Sequence, residues 1–283
     1  MPLLTLLRNI ARLSLADPIR PYPPVTTTDA LKAAALALIL VDHVGHYLAD
    51  EWAILRVIGR LGVPVFFFLI GFAKSRDIPW RWVSLGIALT GVDYLWLGGL
   101  DGLQLNILFN FVAIRLALPL IERHVLPSLW RLAFMMMALV AVIPLVNPIL
   151  EYGTEGWLLA IFGLLVRRSR DGARWLAPLA LLAWLVPAAG LCVFGIYGFV
   201  ERSDYAFPPL HSALLMVGLV VLLIVLMRFE RRMLGWVPGP RFGALMRFCG
   251  RYSLEIYAAQ IIGLAAIGGL WSTLDPDEGE DDV

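Results

Sequence analysis

The sequence predicts an all-α, polytopic integral membrane helix bundle of about nine transmembrane helices, N-terminus cytoplasmic and C-terminus outside. Three observations predict it. Of 283 residues, 60% are hydrophobic and 16% charged, with a mean hydropathy of +0.78; a soluble domain is roughly 45–50% apolar and about 25% charged. The apolar residues come in long runs, and a membrane-crossing helix needs about 20 of them. The basic residues fall almost wholly on one side of those runs. The composition excludes a disordered chain and a disulfide-rich secreted module. A net charge of +1 advertises no nucleic-acid partner, so charge informs only through its distribution.

Residues 1–30 form a cytoplasmic N-terminal segment. Leu3, Leu6, Leu7, Ile10 and Leu13 recur at helical spacing with Arg8 and Arg12 between them, the pattern of an interfacial amphipathic helix on the inner membrane surface. The two arginines interrupt the apolar run and no A-x-A-like site follows, so this is not a secretory signal. Pro18, Pro21, Pro23 and Pro24 then stop the helix. The transmembrane domain covers 31–273, with spans at about 31–49, 54–73, 80–98, 103–121, 129–149, 152–166, 175–199, 207–227 and 252–272. The runs lack the period-2 alternation of a barrel, and backbone groups cannot stay unpaired in lipid, so the spans are helices. Residues 274–283 form an acidic outer tail.

Nineteen of the 23 Lys and Arg residues lie in segments on one side of a nine-span alternation. Basic residues stay cytoplasmic, which sets the orientation. The exceptions are Arg56, Arg60, Arg115 and Arg202. Cys192 sits in an apolar stretch and Cys249 in a basic loop, an arrangement that disfavours a mutual disulfide.

Charged groups inside a bilayer cost about 2.5–3.5 kcal/mol each on insertion scales, so they face a cavity or a partner. Most of the polar groups inside the spans gather toward the outer face: Asp42, His43 and His46 in span one, Arg60 in span two, Asp93 in span three, Asn106 and Asn110 in span four. Glu151, Tyr152 and Glu155 stand at the outer turn before span six, and His211 begins span eight. Glu255 and Gln260 belong to span nine. His43 is the candidate general base, because histidine titrates near neutrality. Asp42 is its candidate tuning carboxylate, although neighbours on a helix are about 100° apart and Asp42 shares a face better with His46. A metal site from these three groups is nonspecific, and no metal is predicted. Arg60 could pair with Asp42 or Asp93, or grip a ligand anion. Two basic clusters, 167–174 with Arg167 and Arg168, and 228–251 with Arg232, could hold the phosphates of a nucleotide-containing donor, although topology alone also demands positive charge there.

Several motifs, in order, resemble the TraX family of membrane pilin acetylases. They are Leu31-Lys32 opening a span that ends Val41-Asp42-His43-Val44-Gly45, Ile58-Gly59-Arg60-Leu61 with Pro64, Phe66 and Phe68, and Leu105-Asn106-Ile107-Leu108. Glu151-Tyr152-Gly153 with Gly156 is similar to the family's E/D-Y-G-x-x-G turn. Ser253-Leu254-Glu255-Ile256-Tyr257 is similar to a signature of the broader membrane acyltransferase clan. The resemblance covers about 31–265. It implies transfer of an acetyl group from cytoplasmic acetyl-CoA to an extracytoplasmic acceptor at the bacterial inner membrane. That acceptor would be the N-terminal amine of a conjugative pilin subunit, with an intramembrane histidine as catalyst. On it, His43 and Asp42 are catalytic, Arg60, Asp93, Asn106, Tyr152 and Glu151 contact substrate, and Arg167, Arg168 and Arg232 bind the donor. O-acyl transfer to envelope sugars or lipids, proton-coupled solute transport and a non-catalytic role in pilus or envelope assembly are the competing classes.

Overall fold

The computed structural model describes residues 24–48, 52–96, 104–171, 178–202, 207–235, 237 and 239–274. The expected amphipathic helix before residue 24, the acidic tail from 275 and the side chain of Asp93 lie outside the described residues. The fold is all-helical. Among the described residues twelve α-helices follow one another: α1 Thr27–Tyr47, α2 Ala53–Gly59, α3 Gly62–Phe72, α4 Trp80–Trp96, α5 Ile107–Leu120, α6 Leu129–Ala141, α7 Ile143–Val146, α8 Gly153–Arg170, α9 Pro178–Arg202, α10 Pro209–Met227, α11 Gly239–Arg251 and α12 Ser253–Leu274. A π-helical turn, Ile121–Val125, continues α5 beyond Pro119.

All nine apolar runs fall on helices, but not always on single ones. The second run breaks at Arg60–Leu61 into α2 and α3. Pro64 is the cause: it lacks an N–H, and its ring meets the carbonyl of the residue four back, which is Arg60. The fifth run breaks between α6 and α7, with Pro144 in the first turn of α7. The basic stretch expected as a loop before the last run is instead largely the helix α11. Among the described residues, two stretches are long and apolar enough to cross a membrane by length and composition, Ala53–Phe72 counted through its break and Pro209–Met227. Leu129–Ala141, Ala183–Gly198 and Ser253–Ile267 are shorter apolar helices.

The ends are fixed locally. Thr26 and Asp29 form a capping box at α1, with the Asp29 carboxylate accepting from Thr26 N at 2.9 Å and Thr26 Oγ1 accepting from Asp29 N at 3.2 Å. Arg167, Arg168 and Arg170 close α8, where cations suit the negative end of the helix dipole.

At the centre, α3 is buried on every side, and Phe67 and Phe68 are fully enclosed. It packs on α8 at backbone contact: a Cβ at Gly71 would lie 1.7 Å from the Ala160 carbonyl oxygen. Small residues at helix interfaces permit this approach. At the periphery the pattern inverts. Trp130, Phe134 and Met137 on α6, and Val217, Val221 and Val225 on α10, are exposed at helical spacing. A helix facing water would be polar on that side; these faces suit a membrane protein.

Candidate functional site

Asp42 and His43 lie in the last two turns of α1. Beneath them runs α2, and the two helices touch at Gly59, where a Cβ would stand 2.3 Å from Asp42 N. That contact brings Arg56 and Arg60, one turn apart, onto the Asp42 carboxylate. Arg56 Nε is 3.1 Å and Arg60 Nε 3.8 Å from Asp42 Oδ1. Asp42 is 8% exposed and Arg56 5%, so the charges depend on one another: an ion this deep is tolerated only when paired. Arg56 Nη1 also meets His46 Nδ1 at 2.6 Å. An arginine can only donate, so His46 accepts there and carries any single proton on Nε2. Arg60 further hydrogen-bonds the Tyr152 side chain.

His43 stands apart from this ion cluster. No hydrogen bond joins it to Asp42, whose carboxylate faces the arginines. Its ring packs 5.7 Å from Tyr257 and 6.3 Å from Tyr47, and its Nδ1 is buried without a hydrogen-bond partner among the described residues. Asp42 therefore bears on His43 by charge alone, which differs from the orienting carboxylate of a catalytic triad.

Two motifs 45 residues apart build the opposite wall. Leu105 N donates to the Ile149 carbonyl at 2.8 Å, and Glu151 N to the Leu105 carbonyl at 2.9 Å. Asn106 caps α5, accepting from Leu108 N at 3.1 Å, while its amide donates to the Gly86 carbonyl and Thr90 Oγ1 at 2.7 and 2.9 Å. The Glu151 carboxylate accepts from Ile107 N at 2.8 Å, a second group at the positive end of α5. Asn110 donates to the carbonyls of Glu151 and Gly153 and accepts from Trp157 Nε1 at 3.0 Å. Tyr152 takes the left-handed conformation, φ 57°, as the chain reverses into α8. Asn106 and Glu151 thus spend their polar atoms holding the wall.

The cavity between these walls measures about 680 Å³, within the range of small-molecule sites. Asp42, His43, Arg60, Asn106, Glu151 and Tyr152 all line it, together with His46, Arg56 and Tyr257. Sequence reasoning missed Arg56 and Tyr257 as site residues. Each left a signal: Arg56 breaks the one-sided distribution of bases, and Tyr257 ends the Ser253–Tyr257 motif.

A second cavity of about 680 Å³ lies at the other ends of the same helices. Eight basic side chains line it against three acidic ones. Lys32 on α1, Arg81 on α4, Arg115 on α5 and Arg251 at the end of α11 are among them. Lys32 Nζ donates to the Gly250 carbonyl at 2.9 Å, and the Arg115 guanidinium lies 5.1 Å over the Trp82 ring. Arg167 lines this cavity too, but its guanidinium is engaged by Glu122 and the Ala73 carbonyl. Arg168 also binds Glu122, at 2.6 Å, and lines neither of these two cavities. Nor does Arg232, whose backbone pairs with Thr27. Four of its eight bases, Arg167, Arg170, Arg231 and Arg251, come from the two clusters that the sequence singles out; the other four, Lys32, Lys74, Arg81 and Arg115, are scattered along the chain.

Outside the apolar runs, Arg76, Arg167 and Arg168 converge on Glu122 in the π turn. Burial alone would raise the Glu122 carboxyl, but the hydrogen bond and charge of Arg76, with Arg167, outweigh it and hold it below its ordinary value.

The profile of a family described as "TraX protein" matches residues 27–234, which include α1 through α10. The chain belongs to the TraX family. The match holds both motif walls of the His43 cavity and ends before α12, which supplies Tyr257. A Protein TraX of Escherichia coli is 30% identical over 198 residues, 68% of this chain and 74% of the relative. One from strain K12 is 28% identical over 169 residues, 58% and 65%. An uncharacterized protein of Rickettsia prowazekii is 23% identical over 242 residues, 84% of this chain and 91% of that one. No solved structure matches the chain significantly.

Proposed function

We propose that this TraX-family chain is a nine-span acyltransferase of the bacterial inner membrane. It takes acetyl-CoA from the cytoplasm and acetylates an extracytoplasmic acceptor, the N-terminal amine of a pilin subunit. One observation carries the reading: a basic cavity and a histidine cavity toward opposite ends of the same helices, α1, α3 and α5, with the first half of α12 bordering both. Each helix contributes to both, Lys32 and His43 on α1, Leu69 and Val63 on α3, Arg115 and, at its cap, Asn106 on α5, Glu255 and Tyr257 on α12. Positive charge at one end suits the phosphates of a coenzyme A thioester and supports reading that end as the cytoplasmic one. Trp82, with Arg115 over its ring, offers a face for the adenine.

In this reaction the acceptor nitrogen attacks the thioester carbonyl carbon. The N–C bond forms as the C–S bond breaks. His43 takes the proton from nitrogen and passes it to the departing thiolate, leaving an amide and a free thiol. The paired guanidiniums of Arg56 and Arg60 place positive charge in the same cavity, where the carbonyl oxygen becomes negative. A hydroxyl acceptor would follow the same course.

The test uses membranes with and without the protein, supplied with acetyl-labelled CoA. Label at the N-terminus of a small membrane protein, lost in His43→Ala, is the expected result. Label in glycan or lipid would move the acceptor class to O-acyl substrates. Full labelling by His43→Ala would defeat the mechanism. Because the cavities lie end to end, proton-coupled solute passage is the competing reading, and uptake of a labelled solute that disappears in Asp42→Asn would favour it.

A further inference from the structure

Between α9 and α10 runs a furrow of about 780 Å³. Its floor is Leu185 of α9 and Leu223 of α10, both buried, and its sides are Val186, Val193, Val220 and Ile224. Ala189 and Gly190 give it depth: a Cβ at Gly190 would meet nothing within 4 Å. From Leu185 to Val193 the helix rises about 12 Å, close to the ~15 Å that one leaflet of hydrocarbon occupies. One end of the furrow is polar. There Ser169 and Arg170 stand in the last turn of α8, and Arg228 at the C-cap of α10. Arg170 Nη2 donates to the carbonyl of Met227, itself a furrow residue, at 3.1 Å, and Nη1 lies 3.0 Å from Glu230 Oε1. Those two side chains are 41% and 53% exposed, and so open an ion pair holds weakly. The Ser169 hydroxyl donates to the Val166 carbonyl at 2.7 Å. Arg228 is exposed and has no ion-pair partner among the described residues.

We propose that this furrow seats one acyl chain of an anionic phospholipid whose phosphate lies on Arg170 and Arg228. The proposal rests on the membrane character of the chain and is independent of the acyltransferase reading. The apolar floor and sides would take any acyl chain; the charge at one end selects the lipid. An anion gains nothing from the helices there, because α8 and α10 both present their negative C-terminal ends. The guanidiniums therefore carry the recognition, and their planar fork of donors matches a phosphate. Arg170 already spends one donor on Met227 and shares another with Glu230, which leaves Arg228 as the decisive group. A choline headgroup carries its own cation beside the phosphate and gains less from these arginines than a headgroup with net negative charge. Arg170 also borders the basic cavity, so the lipid phosphate would lie at the same end of the bundle as that cavity.

The experiment titrates purified full-length protein in neutral detergent with dioleoyl phosphatidylglycerol, with phosphatidylcholine bearing the same chains, and with glycerol 3-phosphate. Bound molecules are counted by native mass spectrometry. Wild type is expected to hold phosphatidylglycerol about fivefold more tightly than phosphatidylcholine, the effect of one basic side chain at a membrane surface, and not to retain glycerol 3-phosphate. Arg228→Gln should erase that preference. Gly190→Leu and, independently, Ala189→Leu fill the furrow and should weaken both lipids by about tenfold, the burial of roughly two methylenes. Equal binding of the two phospholipids by wild type would overturn the proposal. So would undiminished phosphatidylglycerol binding in whichever furrow variant folds, or glycerol 3-phosphate binding as tight as that of the lipid. A lipid-free dimer that dissociates in Gly190→Leu would give the furrow to a second copy of this chain and overturn it as well. None of these readouts involves acetyl transfer, so failure here leaves the enzyme reading standing, and failure of that reading leaves the lipid site standing.

Discussion

Around His43 the charged side chains are buried and hold one another, whereas around Lys32 and Arg115 many of them reach solvent. Asp42, Arg56 and Arg60 have side chains no more than 12% exposed. In the basic cavity the paired bases Lys74, Arg81 and Arg170 are 76%, 50% and 41% exposed. The difference teaches what each end can do. A buried, mutually paired cluster is stiff and fixes geometry for chemistry. An exposed, over-positive surface attracts and releases a charged donor without holding one pose. Substitutions should therefore fail differently at the two ends.

The largest effect is expected at His43. Replacement by Ala removes the base and should lower acetyl transfer by about 10²–10⁴-fold. Its Nδ1 has no hydrogen bond to lose, so the thermal midpoint in detergent should move little. A large fall in that midpoint would make His43 a structural group and erase the contrast with its neighbour.

Asp42→Asn tests that neighbour. It leaves two buried guanidiniums without their carboxylate and should destabilise the protein by about 3–5 kcal/mol, read by thermal or denaturant unfolding. Arg56→Gln should fall in the same class, since it also strips the donor from His46. A stable, fully folded Asp42→Asn protein would mean the cluster is not what holds α1 on α2.

Much of this was legible in the sequence, for identifiable reasons. Apolar runs bounded by bases and glycines translate directly into helices, and intramembrane polar residues must converge on something. That is how Asp42, His43, Arg60, Asn106, Glu151 and Tyr152 could be named before any geometry. What stayed hidden depends on rotation and depth. Periodicity cannot say that Asp42 turns to Arg56 and away from His43. Nor can it say that Asn106 and Glu151 cap α5 while bordering the cavity. Arg168 and Arg232 do not line the basic cavity although Arg170, Arg231 and Arg251 from the same conspicuous clusters do, and Lys32, Arg81 and Arg115, spread over 84 positions, join them there. The helix α11 was hidden because its bases, read for topology, obscured the apolar residues between them.

Lys32→Gln with Arg115→Gln sharpens the other side of the comparison. Each removes a positive charge that faces the proposed donor but not the reacting carbon. The pair should raise KM for acetyl-CoA by about tenfold with kcat little changed, the mark of lost uniform binding. The wild-type KM should itself climb with salt, as screening weakens exposed charges. A fall in kcat at constant KM would instead place these residues with the chemistry.

The smallest expected effect lies at Glu122, and its sign follows from its pKa. Arg76 and Arg167 hold the carboxyl below its ordinary 4.5 against the opposing effect of burial. A carboxylate whose folded value is depressed lends stability that is present above the unfolded value and is lost as pH falls through the folded one. At neutral pH, Glu122→Gln should therefore cost about 1 kcal/mol, a modest figure because a side chain 19% exposed is partly screened. Thermal midpoints of wild type and variant should differ at pH 7 and converge as the pH drops below 4.5. The three guanidiniums left facing each other in the variant should also make it respond more to added salt than wild type does. If the gap between the two proteins persisted undiminished in acid, Glu122 would be acting through packing at the π turn and not through its charge.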